Sequence, residues 1–403
     1  MKKFTVILVC IALLTIAGCS KNQPIDDTIV TTTQITEPTE VTTQPQTEAP
    51  EINNYVPDQV PMAAISMPVS ERKDYTEDDV LLFSYKSQTI SLIIPDTEIE
   101  RKVILDIQNR LDGFNTEAED ISLRARADYN GSENWNNYFY NVLYTPGRID
   151  LSVLSLHGVN TTWVGGAHPN RSCTSANYDL TTGDVLTLGS ILTHEDSLAT
   201  LCQLLIDEAT EIKAEKYLYT DYEDTIRNRF AQNESYNESW YFSNEGLCFY
   251  FSPYEIAPYF AGIITLTIPY ENLTGIIEDR YFPAERDTST GTLRAVKQDD
   301  ADLDAFTQIA EVLLDSEGQM VFLFTDTSVQ DLTIEVGTIQ GGKDFVQEAS
   351  IFAAPILTPG DAVMLQSTFE DSYSIRITYR SGDKVIQQLL SCNSSGILEL
   401  NSI

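Results

Sequence analysis

"GLCFYFSPYEIAPYFAGIITLTIPY", residues 246–270, sets two apolar runs on either side of a loop rich in proline and tyrosine. Both runs are dense in β-branched and aromatic side chains and are bounded by glycine or proline, which favours strands over a helix. Upstream, "NYDLTTGDVLTL" predicts a hairpin turning at Thr181-Thr182-Gly183, and "FYNVLYTPGRIDLSVLSL" another turning at Thr145-Pro146-Gly147. "VLLFSYKSQTISLII" (80–94) predicts two strands joined by a tight polar turn. Helical spacing breaks in between these pieces. Ile99, Val103, Ile107 and Leu111 repeat every four residues, with Thr97 and Glu100 as a capping box and Gly113 as a stop. Leu198, Leu201, Cys202, Leu205, Ala209 and Ile212 share one face of a helix beginning near Thr193, and a shorter helix is expected over Glu223–Ala231. Strands, hairpins and interspersed helices without regular alternation predict an α+β fold on an antiparallel sheet.

Downstream the pattern changes. Residues 283–298 are polar and suggest a linker. An acidic helix is then expected, with Leu303, Phe306, Ile309 (or Ala310) and Leu313 inward and Gly318 at its end. Six strand-like runs follow, among them "MVFLFTD", "DLTIEVGTI", "AVMLQSTF", "SIRITYR" and "VIQQLLS", which predict a smaller, mostly-β, sandwich-like domain. The expected organisation is a leader over 1–19, a tether over 20–70, an α+β domain over 72–282 and the β-rich domain over 299–403.

The N-terminus carries an address. Lys2 and Lys3 precede an apolar run, Phe4–Ile16, shorter than a membrane span needs. Ile16-Ala17-Gly18-Cys19 reads as a bacterial lipobox, so Cys19 is the expected lipidation site. The mature chain is then expected on the outer face of the bacterial cell membrane, in the cell envelope. Residues 20–54 contain no aromatic residue, and Thr28–Thr47 is rich in threonine, a composition that predicts disorder. The chain holds 25 basic and 60 acidic side chains, a net charge of −35 that becomes −37 without Lys2 and Lys3. Such a polyanion repels nucleic acid and anionic headgroups and attracts cationic partners.

Catalytic signatures are scarce. GxSxG, HExxH, GxGxxG and GxxxxGK[ST] are absent. Asp300, Asp302, Asp304 and Glu311 have partial calcium-loop spacing, but Ala305 stands where the sharp turn needs glycine. The three histidines, His157, His168 and His194, are unclustered, so no metal or other cofactor is expected. His168 follows Gly165 and Gly166, which permit positive φ, and precedes Pro169. An imidazole there is expected to hydrogen-bond the turn's own carbonyls. The four cysteines beyond the leader, Cys173, Cys202, Cys248 and Cys392, leave disulfide pairing open.

"WVGGAHPNRSCTSANYDLTTGDVLTLGSIL" and, some 50 residues later, "GLCFYFSPYEIAPYFAGIITLTIPYENL" carry a family likeness. Together they resemble the RsiV/PdaC-type bacterial extracytoplasmic domain, with a Gly-Gly-Ala-His turn at Gly165, Gly166 and His168. A hairpin with Asp179 and Gly183 follows, and then a loop with Tyr254, Pro258 and Tyr259. The likeness spans about 75–275. It implies an α+β module that binds a ligand, lysozyme in the RsiV case, and a cationic lysozyme suits the charge. Signalling and deacetylation do not carry over, because the lipobox stands in place of a spanning helix and the C-terminal region has no histidine. The expectation is therefore a non-enzymatic surface lipoprotein that binds lysozyme or cell-wall polymer, with Tyr254, Tyr259 and Phe260 as contact candidates. The alternatives are a wall hydrolase using His168 with nearby carboxylates, and a purely structural envelope protein.

Overall fold

A computed structural model describes residues 63–194, 196–231, 239–284, 288–314, 318–341, 344–369, 373–392 and 398–403. The leader, Cys19 and the tether up to residue 62 lie outside the described residues. From Ala63 onward the chain runs β1 (Ala64–Ser66), β2 (Val69–Tyr75), β3 (Leu81–Gln88), β4 (Ser91–Ile93) and the long helix α1 (Thr97–Asp128). Then come β5 (Tyr138–Ile149), β6 (Val153–Trp163), β7 (Asn170–Asp179) and the short β8 (Asp184–Val185). Helices α2 (Leu188–Ile191), α3 (Ser197–Lys216) and α4 (Tyr222–Ala231) lead to β9 (Trp240–Phe242), β10 (Gly246–Phe251) and β11 (Ile264–Pro269). The remainder is β12 (Leu293–Lys297), β13 (Thr307–Leu313), β14 (Gln319–Thr325), β15 (Val329–Gln340), β16 (Asp344–Leu357), β17 (Asp361–Ser367), β18 (Ser374–Ser381), β19 (Lys384–Cys392) and β20 (Leu398–Ser402).

The fold is α+β with a β-rich C-terminal region. Among the described residues, one sheet runs β2-β3-β5-β6-β7-β8 and a second β11-β10-β9, while the C-terminal strands form β12-β14-β17-β13 and β20-β19-β18-β15-β16-β1-β4. Most pairings are antiparallel. β3 and β5 are parallel, as are β13 and β17. Helices α3 and α4 pack on β9–β11 around Trp240, Phe242, Phe249 and Phe251. The C-terminal sheets share one buried cluster, with Val321, Leu323, Val363 and Leu365 on one side and Ile334, Phe352, Ile375 and Ile377 on the other.

The tether expected to reach residue 70 gives way to strand at Ala64. β1 lies between β4 and β16, antiparallel to both. Strand alternation sends Ala63, Ile65 and Met67 into the cluster beneath α1 and Ala64 into the C-terminal cluster, all wholly buried. β4 joins the same sheet, so the strands predicted over 80–94 form but belong to different sheets.

Helix α1 continues through Gly113. An interior glycine costs about 1 kcal/mol relative to alanine, and burial of Ala118, Ile121 and Ala125 against Phe83 and Tyr140 offsets it. Its cap is Asp96, which accepts from the Glu98 and Ile99 amides, rather than Thr97. Tyrosine hydroxyls from the sheet latch it in place. Tyr178 donates to Asp106 at 2.8 Å, Tyr140 to Glu117 at 2.7 Å and Tyr138 to Asp128 at 2.9 Å.

The Thr145-Pro146-Gly147 turn is also displaced. These residues continue β5 through a bulge between Pro146 and Arg148. Gly147 is required by close approach, since a Cβ there would sit 2.3 Å from the Phe242 carbonyl. The turn forms at Asp150, whose Oδ1 accepts from the Ser152 and Val153 amides at 2.7 and 2.8 Å. The hairpin at Thr181–Gly183 forms as expected, with Gly183 at φ +72°.

Residues 293–297 of the expected linker are strand β12, and the acidic helix does not form. Gln298–Asp300 and Leu303–Ala305 make short 3₁₀ turns, and Thr307–Leu313 is strand β13 beside β17. Its inward residues are Ala310 and Val312, with Glu311 and Leu313 outward, a period of two that the wider leucine and phenylalanine spacing hides.

Candidate functional site

β6 ends at Trp163, whose indole N–H donates to the Gly166 carbonyl at 3.3 Å. Gly165 and Gly166 take φ of +94° and +111°, backbone closed to ordinary side chains, and they turn His168 towards the β10–β11 loop. The imidazole stacks on Tyr259 at 3.9 Å. Its Nδ1 lies 3.0 Å from the Pro169 carbonyl, which only accepts, so Nδ1 carries the proton. In the neutral ring Nε2 then accepts from the Tyr254 hydroxyl at 3.1 Å, and the Tyr259 hydroxyl donates to the same Pro169 carbonyl at 2.9 Å. His168 binds the turn's carbonyl as the sequence suggested, and it also joins the turn to the tyrosine loop. Both ring nitrogens are thereby engaged.

That loop is fastened from below. Arg229 of α4 pairs with Glu255 at 2.8 Å, donates to the Tyr250 carbonyl at 2.8 Å and stacks over Phe251. The other Glu255 oxygen accepts from the Ser252 amide at 2.9 Å. Burial holds the Glu255 carboxyl above its ordinary value despite Arg229. Tyr219 donates its amide to the Ile256 carbonyl at 2.9 Å, tying the end of α3 to the loop.

The rings above this clamp face water. Phe260 is 71% exposed, Tyr217 62% and Tyr254 57%. Tyr217 and Phe260 meet edge to face at 5.2 Å, and Tyr254 and Tyr259 lie 5.6 Å apart. Tyr217 and Tyr254 both hold left-handed backbone, at φ +55° and +72°. Such backbone costs a non-glycine residue about 1 kcal/mol. Strained backbone thus supports two of the three exposed rings. The sequence brought His168, Tyr254, Tyr259 and Phe260 forward but missed Tyr217, because left-handed helix caps favour glycine or asparagine.

The other histidines lie elsewhere. His157 stacks on Tyr241 at 4.1 Å, and burial lowers its imidazole from 6.5 to about 4. It stays neutral in the fold, while the unfolded chain takes up a proton below pH ~6.5. Stability is therefore expected to fall as pH drops from about 6.5 towards about 4, by up to about 1.4 kcal/mol per pH unit. Denaturant titrations at about pH 7 and about pH 5 check this, and His157→Gln should flatten the slope relative to the native chain. Among the described residues no group of three or more His, Cys, Asp or Glu side chains is placed to hold a metal.

Among the described residues no disulfide is formed, and Cys173 and Cys248 lie in one cluster around Tyr241 and Tyr250. Burial pushes the Cys173 thiol up to about 12, away from the thiolate form. Asp179, of the hairpin motif, accepts from the Thr181 amide at 2.8 Å and pairs with Arg280 at 2.8 Å, a structural role. A cavity of about 180 Å³ opens beside Arg148, Asp150, Gln330, Asp331 and Pro355. Among the described residues no helix is long and apolar enough to cross a membrane.

No curated protein matches this chain. Several solved structures are similar, two of them at the following low identities. A DUF3298 family protein from Pseudomonas aeruginosa is 16% identical with a TM-score of 0.39, over 55% of this chain and 97% of that one. A DUF3298 member from Bacteroides fragilis is 15% identical with a TM-score of 0.36, over 54% and 94%. The RsiV/PdaC-type assignment is finer than these matches reach. Residues 190–271, which supply Tyr217, Tyr254, Tyr259 and Phe260 to the exposed surface, match the family described as "Protein of unknown function (DUF3298)".

Proposed function

We propose that this chain is a surface lipoprotein, anchored through Cys19 at the outer face of a bacterial membrane, whose α+β part is an RsiV-like module binding an envelope-directed ligand. The ligand is lysozyme or cell-wall material. The C-terminal strands form a β-sandwich that serves as a spacer or second surface. The observation that carries this reading is the exposed aromatic surface of Tyr217, Tyr254 and Phe260, supported on strained backbone and clamped by Arg229 and Glu255. Contiguous exposed aromatics of this kind are the usual centre of a binding surface.

Calorimetry with a c-type lysozyme at low and physiological salt tests the lysozyme branch, using the chain from residue 20 onward so that β1 is retained. Submicromolar affinity, about −8 kcal/mol or tighter, that survives physiological salt with 1:1 stoichiometry is the expected result for a specific receptor or inhibitor. Binding that vanishes with salt would show only a polyanion meeting a polycation and would leave wall material as the ligand. His168→Ala is expected to lower both the melting temperature and the affinity without abolishing any turnover. Loss of a measurable wall-hydrolysing activity in a folded variant would reverse the reading.

A further inference from the structure

We propose that the His168–Tyr254–Tyr259 and Tyr217–Phe260 rings form a stacking site for a neutral glycan strand at least two pyranose units long; this rests on the envelope-binding reading above. The chemistry of the rings selects the ligand. A pyranose is apolar on its C–H faces and polar around its rim. The site offers the same division, with exposed Phe260, Tyr217 and Tyr254 rings and hydroxyls at the tyrosine edges.

Charge narrows the choice. The four rings of Tyr217, Tyr254, Tyr259 and Phe260 carry no charge, and the chain's net charge of −35 repels polyanions, so nucleic-acid bases are unsuitable partners despite their stacking faces. The rings fall into two groups, joined where Tyr259 and Phe260 are consecutive. Tyr217 meets Phe260 at 5.2 Å, and His168 lies on Tyr259 at 3.9 Å with Tyr254 alongside. Two adjacent stacks suit a polymer with a repeated face better than a single small molecule. Position agrees. Forty-three residues separate Cys19 from Ala63, a contour of at most about 150 Å, which confines an anchored fold to the layer where wall glycan is concentrated.

The test titrates the chain from residue 20 onward with N-acetylglucosamine and its β-1,4-linked tetramer, reading heat and tyrosine fluorescence. The native chain, Phe260→Ala and Tyr217→Ala are compared, and lysozyme is run as a separate arm. Both variants remove exposed side chains, and unchanged circular dichroism and melting confirm that they fold. The expected result is saturable tetramer binding, at least tenfold weaker for the monomer and at least tenfold weaker in each variant. Failure of the tetramer to bind overturns the glycan assignment, as does binding that both folded variants keep. If lysozyme binds the native chain and not the variants while the tetramer is ignored, the surface docks a protein. The glycan assignment then falls and the binding-module reading stands. If neither ligand binds, both fall.

Discussion

Ile65→Ala is expected to lower the unfolding free energy by about 2–5 kcal/mol, read as a shift in the guanidinium midpoint. Ile65 is wholly buried between β4 and β16 and faces Val103 and Ile107 of α1. The space it vacates is walled by strands fixed on both sides, so collapse cannot refill it. Leu123→Ala on the exposed side of α1 is the control, with a change near zero, because Leu123 is 56% exposed. A chain starting at residue 72 loses β1 entirely and is expected to show no cooperative transition. A midpoint for Ile65→Ala equal to that of Leu123→Ala would show that β1 contributes nothing to the fold.

Arg148→Met is expected to cost about 3–5 kcal/mol. Arg148 is 2% exposed, and its guanidinium reaches Asp150, the Tyr270 hydroxyl at 2.9 Å, the Tyr281 carbonyl at 2.5 Å and Ser152 at 3.3 Å. One planar group thus ties β5 to the segment after β11. Methionine retains the packing against Phe242 and Tyr270 but leaves the Tyr281 carbonyl and the Asp150 carboxylate short of a donor. Arg148→Lys is not expected to rescue it, since one ammonium cannot span the fork. Denaturant midpoints of the two variants against the native chain decide the matter, and a lysine variant of native stability would sink the argument.

Strand or helix type was legible wherever a short segment carried its own signal. The β10–β11 pair, α3, α4 and the hairpin at Gly183 all follow local periodicity and turn chemistry. The failures share a cause in partners distant along the chain. Gly113 reads as a stop until Ala118 and Ala125 are seen against Phe83 and Tyr140. Gly147 reads as a turn until Phe242 is found against its backbone. Thr307–Leu313 reads as helix until it pairs with β17, some 50 residues later. The same rule divides the site. His168 and the tyrosine loop were visible as composition, but the bond between them joins residues 86 positions apart. Tyr217 was invisible because it sits where helix caps ordinarily place glycine.

β1 also determines how the fold would respond to a pull. A load applied to the chain before Ala63 enters at an interior strand with neighbours on both sides, not at an edge that could be peeled one pair at a time. It is divided at once between β4, which leads into α1, and β16, which belongs to the C-terminal strands. Tension along the N-terminal segment would therefore strain the α+β half and the β-rich half together, and the two are expected to yield in a single event.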